Sequence, residues 1–169
     1  MEYIRARQRG IVVGSLPPGQ LNRISDVPGV KVGHCTLADG DLQTGLTVIL
    51  PPPRNPFLEK LPAACYVQNG FGKTLGIVQI EELGTLETPI ALCGTLNVGR
   101  VHDAMVGYMI DLCAGDGVTL TSINPVVGEC NDATLNRIAE RCVGREQVFA
   151  ALAAGFALGA AAYHRKEAD

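Results

Sequence analysis

The side chains best suited to chemistry are concentrated in one segment, residues 122–136, with the sequence SINPVVGECNDATLN. Its amide and carboxylate side chains surround an apolar pair and comprise Asn124, Glu129, Asn131, Asp132 and Asn136. A fixed amide N–H can stabilise the negative charge that develops on a reacting carbonyl oxygen. The segment therefore predicts a catalytic site. In a plainer interpretation, Asn131 or Asp132 caps a helix and Asn136 lies on its solvated face.

A second candidate is the glycine-rich stretch Gly70–Thr74, which follows Asn69. It does not match a Walker A loop, because Val67 occupies the position of the first required glycine. Nor does it match the dinucleotide fingerprint, because Leu75 stands where the third glycine belongs. Two interpretations remain: a simple turn, or a loop that brings backbone and the Asn69 side chain close to a substrate.

The classical hydrolase and metal patterns are absent from the sequence. No G-x-S-x-G elbow occurs, and His34, His102 and His164 are scattered, so neither a serine triad nor a metal site is predicted. The carboxylates Glu81, Glu82 and Glu87 are interpreted as a solvated rim.

Composition narrows the class of protein. The chain has 169 residues, a hydrophobic fraction of 47% and a net charge of −3, which exclude disorder and disfavour nucleic-acid binding. Its six cysteines form no C-x-x-C pair, and no signal-peptide pattern is present. We interpret them as buried free thiols, which predicts a cytoplasmic location.

The longest apolar run, residues 148–163, has 16 residues without a charge and contains a G-x-x-x-G spacing. A bilayer requires about 20 residues of helix, so the run predicts a buried or interface helix and no membrane partner.

Apolar periodicity predicts the elements that position these groups. The predicted strands are Val30–Val32, Leu46–Leu50, Ala63–Gln68, Pro89–Cys93 and Val118–Ile123. The predicted helices cover 101–112 and 135–142, and a third begins near Glu146. This order predicts one α/β domain, a sheet with helices packed on one face.

Several motifs occur in an order that resembles a known family, that of the L-aminopeptidases/D-esterases, which includes DmpA and the β-peptidyl aminopeptidases. The motifs are ISDVPGVKVGH (24–34), TGLTVI (44–49), NGFGK (69–73), ELGTLETPI (82–90), NVGR (97–100), NPVVGECND (124–132) and LN (135–136). The resemblance implies an αββα sandwich of the DmpA/ornithine acetyltransferase type, similar in layering to N-terminal-nucleophile hydrolases. It also implies a precursor that cleaves itself into an α and a β chain, and an enzyme for which no metal or organic cofactor is expected.

The resemblance also implies roles for residues. The serine that begins the β chain is the nucleophile, and its own amine is the base. Asn136 matches the asparagine that stabilises the oxyanion. Asn69, Glu129 and Asn131 are candidates for substrate binding. The family's α-chain tyrosine has no counterpart, since its expected position lies near Thr85.

The resemblance covers only the α-chain-like part, which we place at residues 1–151. Residues 152–169 are expected to form a divergent alanine-rich helix and polar tail. We expect part of a self-processing serine aminopeptidase that releases N-terminal residues from short peptides, amides or esters, and that is inactive alone because the β chain carries the nucleophile. The expected partners are that chain and further copies, in a homo-oligomer. The alternatives are a truncated non-catalytic remnant or partner-binding subunit, or an acyltransferase of the ornithine acetyltransferase type, whose threonine motif is absent.

Overall fold

A four-stranded mixed sheet forms the centre of the fold. The computed structural model describes residue 4 and residues 6–166, with side chains up to residue 157. The elements are β1 (Lys31–Asp39), β2 (Leu42–Leu50), β3 (Leu61–Pro62), α1 (Ile77–Leu83), β4 (Thr85–Leu86), β5 (Ile90–Gly94), α2 (Val98–Gly115), β6 (Val126–Cys130) and α3 (Arg145–Lys166). The mixed α/β class predicted from the sequence is confirmed.

The long β1–β2 hairpin forms the first half of the sheet. Gly29 has φ +83°, which suits a type II turn before β1, and Gly40 has φ +52° in the hairpin turn. The antiparallel register runs from Lys31 opposite Leu50 to Asp39 opposite Leu42. Strand β2 then pairs antiparallel with β5, and β5 pairs parallel with β6.

One face of the sheet packs against α2 and α3 to form the main core. Alternate residues of the strands, such as Val48, Ala91 and Val127, are fully buried there against helix residues such as Met105 and Val148. The alternation places every second strand residue under the helices, which explains the apolar spacing of the sequence. The prediction of helices packed on a face of the sheet is therefore confirmed for α2 and α3.

Strand β1 and helix α3 approach each other closely at Gly33. A Cβ atom on Gly33 would lie only 1.8 Å from the carbonyl oxygen of Ala151 and 2.6 Å from the amide nitrogen of Gly155. Strand β1 and helix α3 therefore pack backbone to backbone, which only glycine permits.

The other face of the sheet is only partly covered. A small apolar cluster of Ile80, Leu86 and Val126 covers the beginning of β5 and β6. Beyond it, in the part of the chain that the structure describes, Thr47 is half-buried and Leu92 is 43% exposed. This part of the face is therefore not covered by a second apolar layer of the described residues.

The predicted strands Ala63–Gln68 and Val118–Ile123 do not form, so these two predictions are wrong. Only Leu61 and Pro62 pair with β4, and the chain leaves this small sheet after one further bond, from Ala63 N–H to the Gly84 carbonyl. Residues 118–123 form no ladder. The edge strand β6 begins after Pro125, where the Val126 N–H is bonded to Thr88 Oγ1 at 3.2 Å.

The predicted helix at 135–142 is also wrong. The Arg137 N–H turns away to bond the Asp41 carbonyl at 3.1 Å, and Arg141 adopts φ +49°. Only a short 3₁₀ turn, Ile138–Glu140, forms there. Tertiary hydrogen bonds thus override the local apolar spacing. Helix α1, which lacks a side-chain cap, was not predicted.

The last helix begins at Arg145, close to the predicted start. The proposed boundary at residue 151 lies within α3, which runs across it without interruption. The end of the predicted polar tail, residues 167–169, lies outside the described residues. None of the helices described by the structure is both long and apolar enough to cross a membrane.

Candidate active site

An open groove of about 400 Å³ crosses all four strands on the partly covered face of the sheet. Its lining comprises His34, Cys35, Thr36, Gln43, Thr44, Gly45, Leu46, Thr47, Leu92, Cys93, Gly94, Glu129, Cys130 and Asp132. His34 Nδ1 and Thr47 Oγ1, on paired positions of β1 and β2, lie 2.8 Å apart. The groove is thus a depression on the sheet that is lined by both polar and apolar side chains.

Asn136 is buried beside this groove, only 7% exposed. Its Oδ1 accepts the Gln43 N–H at 3.2 Å, and its Nδ2 donates to Asp132 Oδ2 at 3.2 Å. The plainer interpretation, in which Asn136 lies on the solvated face of a helix, is wrong. Hydrogen bonds at both ends fix the orientation of the amide.

Asp132 connects Asn136 with the strands. Its Oδ2 also accepts the Thr44 hydroxyl at 2.5 Å. Its Oδ1 is buried without a hydrogen-bond partner among the described residues. A Cβ atom on Gly94 would lie 2.9 Å from this oxygen, so a side chain there would displace the carboxylate.

Glu129 lies on β6 within the same groove and is half-buried. Its Oε2 accepts a short hydrogen bond from the Thr95 hydroxyl. Burial, together with the charges of Asp132 and Glu129, raises the pKa of the Cys93 thiol to about 12. Cys93 is therefore protonated at neutral pH and is not a nucleophile.

The other two candidates lie outside this cluster. Asn69 Oδ1 accepts the Phe71 N–H at 2.9 Å, which closes an exposed turn. That loop approaches the groove, because a Cβ atom on Gly72 would lie 4.0 Å from Glu129 Oε1. Asn131 is exposed, and its Oδ1 accepts the Ala133 N–H at 3.0 Å, a side-chain turn rather than a helix cap.

Sequence reasoning missed Gln43, Thr44 and Thr95. Asn136 lies 93 positions from Gln43, and Asp132 lies 88 positions from Thr44, so no local spacing indicates these pairs. The TGLTVI motif contains Thr44, but the motif alone gives it no role.

The interpretation of Glu87 as part of a solvated rim is wrong. Glu81 and Glu82 are exposed, but Glu87 is buried. Its Oε2 lies 3.4 Å from Lys60 Nζ, and its Oε1 accepts the Asn124 N–H at 3.1 Å. It is a structural carboxylate beneath the segment that leads into β6.

The cysteines are free thiols, as predicted. Cys93 and Cys113 are buried, whereas Cys130 is exposed, so the prediction of burial is wrong for Cys130. Among the residues with described side chains, no three His, Cys, Asp or Glu side chains are grouped to hold a metal ion.

A comparison with family models decides the relationship. The model of peptidase family S58 matches residues 22–166. The chain belongs to peptidase family S58. The resemblance inferred from the sequence motifs is thereby confirmed.

Individual S58 relatives support this assignment. The β-peptidyl aminopeptidase BapA of Sphingosinicella xenopeptidilytica is 37% identical over an alignment of 157 residues, and the match covers 88% of this chain and 38% of the relative. A β-aminopeptidase from Burkholderia sp. superposes with a TM-score of 0.78 at 42% identity, over 89% of this chain and 43% of that one. The L-aminopeptidase D-Ala-esterase/amidase of Ochrobactrum anthropi superposes with a TM-score of 0.79 at 31% identity, over 89% and 44%.

The Ochrobactrum protein is described as a prototype of the serine aminopeptidases and a variant of the Ntn-hydrolase fold, so the fold class expected for this chain is confirmed. This S58 chain spans less than half the length of the relatives that it matches. The roles of Asn136, Asn69, Glu129 and Asn131 stay predictions.

Proposed function

We propose that this chain forms the α-type half of a self-processing S58 serine aminopeptidase. The complete enzyme releases N-terminal residues from short peptides, amides or esters. One observation carries the proposal: an open groove on the sheet with the fixed amide of Asn136 beside it. The aminopeptidase names of the relatives support the reaction class.

Asn136 has the chemistry of an oxyanion donor. A carboxamide has two N–H bonds, and one of them is donated to Asp132. The second is available for a carbonyl oxygen that becomes negatively charged. Because Gln43 and Asp132 fix the amide in advance, it needs no reorganisation during the reaction.

Glu129 has the chemistry to recognise a free amino terminus. An aminopeptidase substrate carries an ammonium group next to the bond that is cleaved, and a carboxylate stabilises it by charge-assisted hydrogen bonding. The Thr95 hydroxyl holds Oε2, while Oε1 faces the loop that contains Gly72. We propose that Asn69, in this loop, and Asn131, in the turn after β6, also contribute to substrate binding.

The nucleophile belongs to the complementary β-type chain. Ser15, Ser25 and Ser122 are exposed, and none of them lines the groove. We propose that self-cleavage of the precursor generates an N-terminal serine whose α-amine, with an ordinary pKa near 8, removes the hydroxyl proton. No metal or organic cofactor takes part in this mechanism.

The β-type chain docks on the partly covered face of the sheet. Leu92 is 43% exposed on β5 and lines the groove, so this face presents apolar surface for a partner. We propose that the paired chains assemble further into a homo-oligomer. The free thiols support a cytoplasmic location.

Complementation tests the proposal. This chain is produced alone and together with the C-terminal part of an S58 relative, and each preparation is assayed on aminoacyl p-nitroanilides. We expect no turnover by the chain alone, and turnover together with a stable complex in native mass spectrometry after co-production. Leu92→Lys should abolish the complex. Val78→Lys, on the exposed face of α1, is the matched control and should leave it intact.

Two results would contradict the proposal. Turnover by the repurified chain alone, with covalent labelling of Ser15, Ser25 or Ser122, would place the nucleophile in this chain. A stable complex without turnover would instead support the non-catalytic, partner-binding subunit.

A further inference from the structure

We propose that Asp132 is a positioning residue that holds Asn136 in its reactive orientation. This inference rests on the proposed function of Asn136. In the sequence, Asp132 belongs to the candidate catalytic segment, but the one specific role considered for it was that of a helix cap, and no helix begins there. Its carboxylate instead joins Asn136, Thr44 and the groove.

The first step of the argument concerns the geometry of the amide. The Asn136 side chain has one acceptor and two donor hydrogens. Gln43 N–H occupies the acceptor at 3.2 Å, and Asp132 Oδ2 occupies one donor at 3.2 Å. The two contacts lie at opposite ends of the amide and determine where the remaining N–H points. Without Asp132, the hydrogen bond from Gln43 alone would leave the Asn136 amide free to rotate about its Cβ–Cγ bond.

The second step concerns how Asp132 itself is fixed. The Thr44 hydroxyl of β2 donates to Oδ2 at 2.5 Å, so a strand of the sheet holds the carboxylate. The absence of a side chain at Gly94 leaves room for it, because a Cβ there would lie 2.8 Å and 2.9 Å from its two oxygens. Strands β2 and β5 therefore hold Asp132 in place, and Asp132 in turn holds Asn136.

The third step is the unpaired oxygen. Asp132 Oδ1 is buried with no hydrogen-bond partner among the residues that the structure describes. A buried carboxylate oxygen without a partner destabilises the fold, so the fold alone does not favour aspartate at this position. Polar groups kept at such a cost are typical of functional sites, where a fixed orientation matters more than local stability.

The test starts from single variants of the complete enzyme and then combines two of them. Asp132→Ala should lower kcat about 10- to 100-fold and leave KM within threefold, since a displaced donor weakens transition-state binding rather than substrate binding. Asp132→Asn retains an oxygen acceptor for Asn136 and should recover kcat to within about fivefold of the parent. Asp41→Ala removes an exposed carboxylate near the Asn136 loop and should leave kcat unchanged.

The decisive measurement is made in the Asn136→Ala background. A residue that acts through Asn136 has no further effect once that amide is gone, so adding Asp132→Ala should lower kcat less than about threefold more. Should Asp132→Ala fail to fold, Asp132→Glu replaces it, because one extra methylene displaces the carboxylate and predicts the same pattern. A full additive loss, or an unchanged kcat in the single variant, would overturn the proposal.

A crystal structure separates this proposal from the proposed function. In the Asp132→Ala chain the Asn136 amide should rotate away from its position beside Gln43. An amide that stays in place would refute the positioning role, whatever the activity. If the amide rotates but the complete parent enzyme hydrolyses no aminoacyl amide, the proposed function fails and the positioning contact stands.

Discussion

The two faces of the four-stranded sheet differ in how completely they are covered. On the helix-covered face, Val48, Val127 and Met105 are fully buried in one continuous apolar core. On the groove face, Leu92 is 43% exposed and polar side chains replace the core. The comparison shows that the described residues pack one face of the sheet into a complete core and leave the other face partly open. Under the proposed function, the β-type chain covers that open face.

The largest expected effect separates the two faces by a matched pair of leucines on adjacent strands. Leu46 is 4% exposed and belongs to the core under the helices, whereas Leu92 is 43% exposed on the other face. Leu46→Ala should lower the free energy of unfolding by about 2–5 kcal/mol because it leaves a cavity in the core. Leu92→Ala should cost less than about 1 kcal/mol in the isolated chain.

Urea unfolding followed by circular dichroism measures both values. Equal losses for the two variants would show that the groove face is already packed in the isolated chain. The contrast between the faces would then be incorrect.

The helix-covered face was also the part that the sequence predicted best. The apolar runs of β2, β5 and α2 have clear periods and form where expected, because each element buries one side against the same core. The groove face was predicted poorly. The apolar positions Leu135, Ile138 and Cys142 fit a helix, but Asn136 and Arg137 bond to the β1–β2 hairpin instead.

The candidate site shows the same division. Asn136 and Glu129 were selected from the sequence because their motifs resemble a known family. Thr44 and Gln43 contribute through contacts about 90 positions away in sequence, which no local pattern encodes. The structural role of buried Glu87 likewise depends on Lys60 and Asn124, which lie in other elements.

A second prediction concerns Asn136 itself. In the complete enzyme, Asn136→Ala should lower kcat by about 10²–10³, or about 2.7–4 kcal/mol of transition-state stabilisation. In the isolated chain, the Gln43 N–H and the Asp132 carboxylate lose their partner, so unfolding should become easier by about 1–3 kcal/mol. Stopped assays on an aminoacyl p-nitroanilide and urea melts measure the two effects.

Leu135→Ala is the control for Asn136, since Leu135 is 74% exposed and directly precedes it. It should change neither quantity appreciably. A parent-like kcat for Asn136→Ala, within about threefold, would remove the oxyanion role and leave only a structural contact.

Two thiols provide a third contrast. Cys93 faces the core, with a pKa of about 12, whereas Cys130 at the end of β6 is exposed. At pH 8 a thiol reagent should label Cys130 at least about 100-fold faster than Cys93, because the thiolate is the reactive form. Mass spectrometry of the labelled peptides measures the ratio, and comparable rates in the folded chain would show that β5 opens readily.

The same shift makes stability depend on pH. The pKa of Cys93 is raised in the folded chain from an ordinary value of 9.0. Above pH 9 the unfolded chain therefore releases this proton while the folded chain keeps it, so stability should fall as pH rises from 9 towards 12. Cys93→Ala should flatten this part of the stability curve.

The smallest expected effect is that of Asn131→Ala, which compares the same residue type five positions before Asn136. The Asn131 side chain makes one exposed hydrogen bond, to the Ala133 N–H at 3.0 Å, and water can replace it when the amide is removed. Unfolding should become easier by at most about 0.5 kcal/mol, below the ~1 kcal/mol expected of a true helix cap. Urea melts of Asn131→Ala and Asn136→Ala, recorded side by side, test this order. A larger loss for Asn131 than for Asn136 would mean that the exposed turn, rather than the buried amide, holds the groove together.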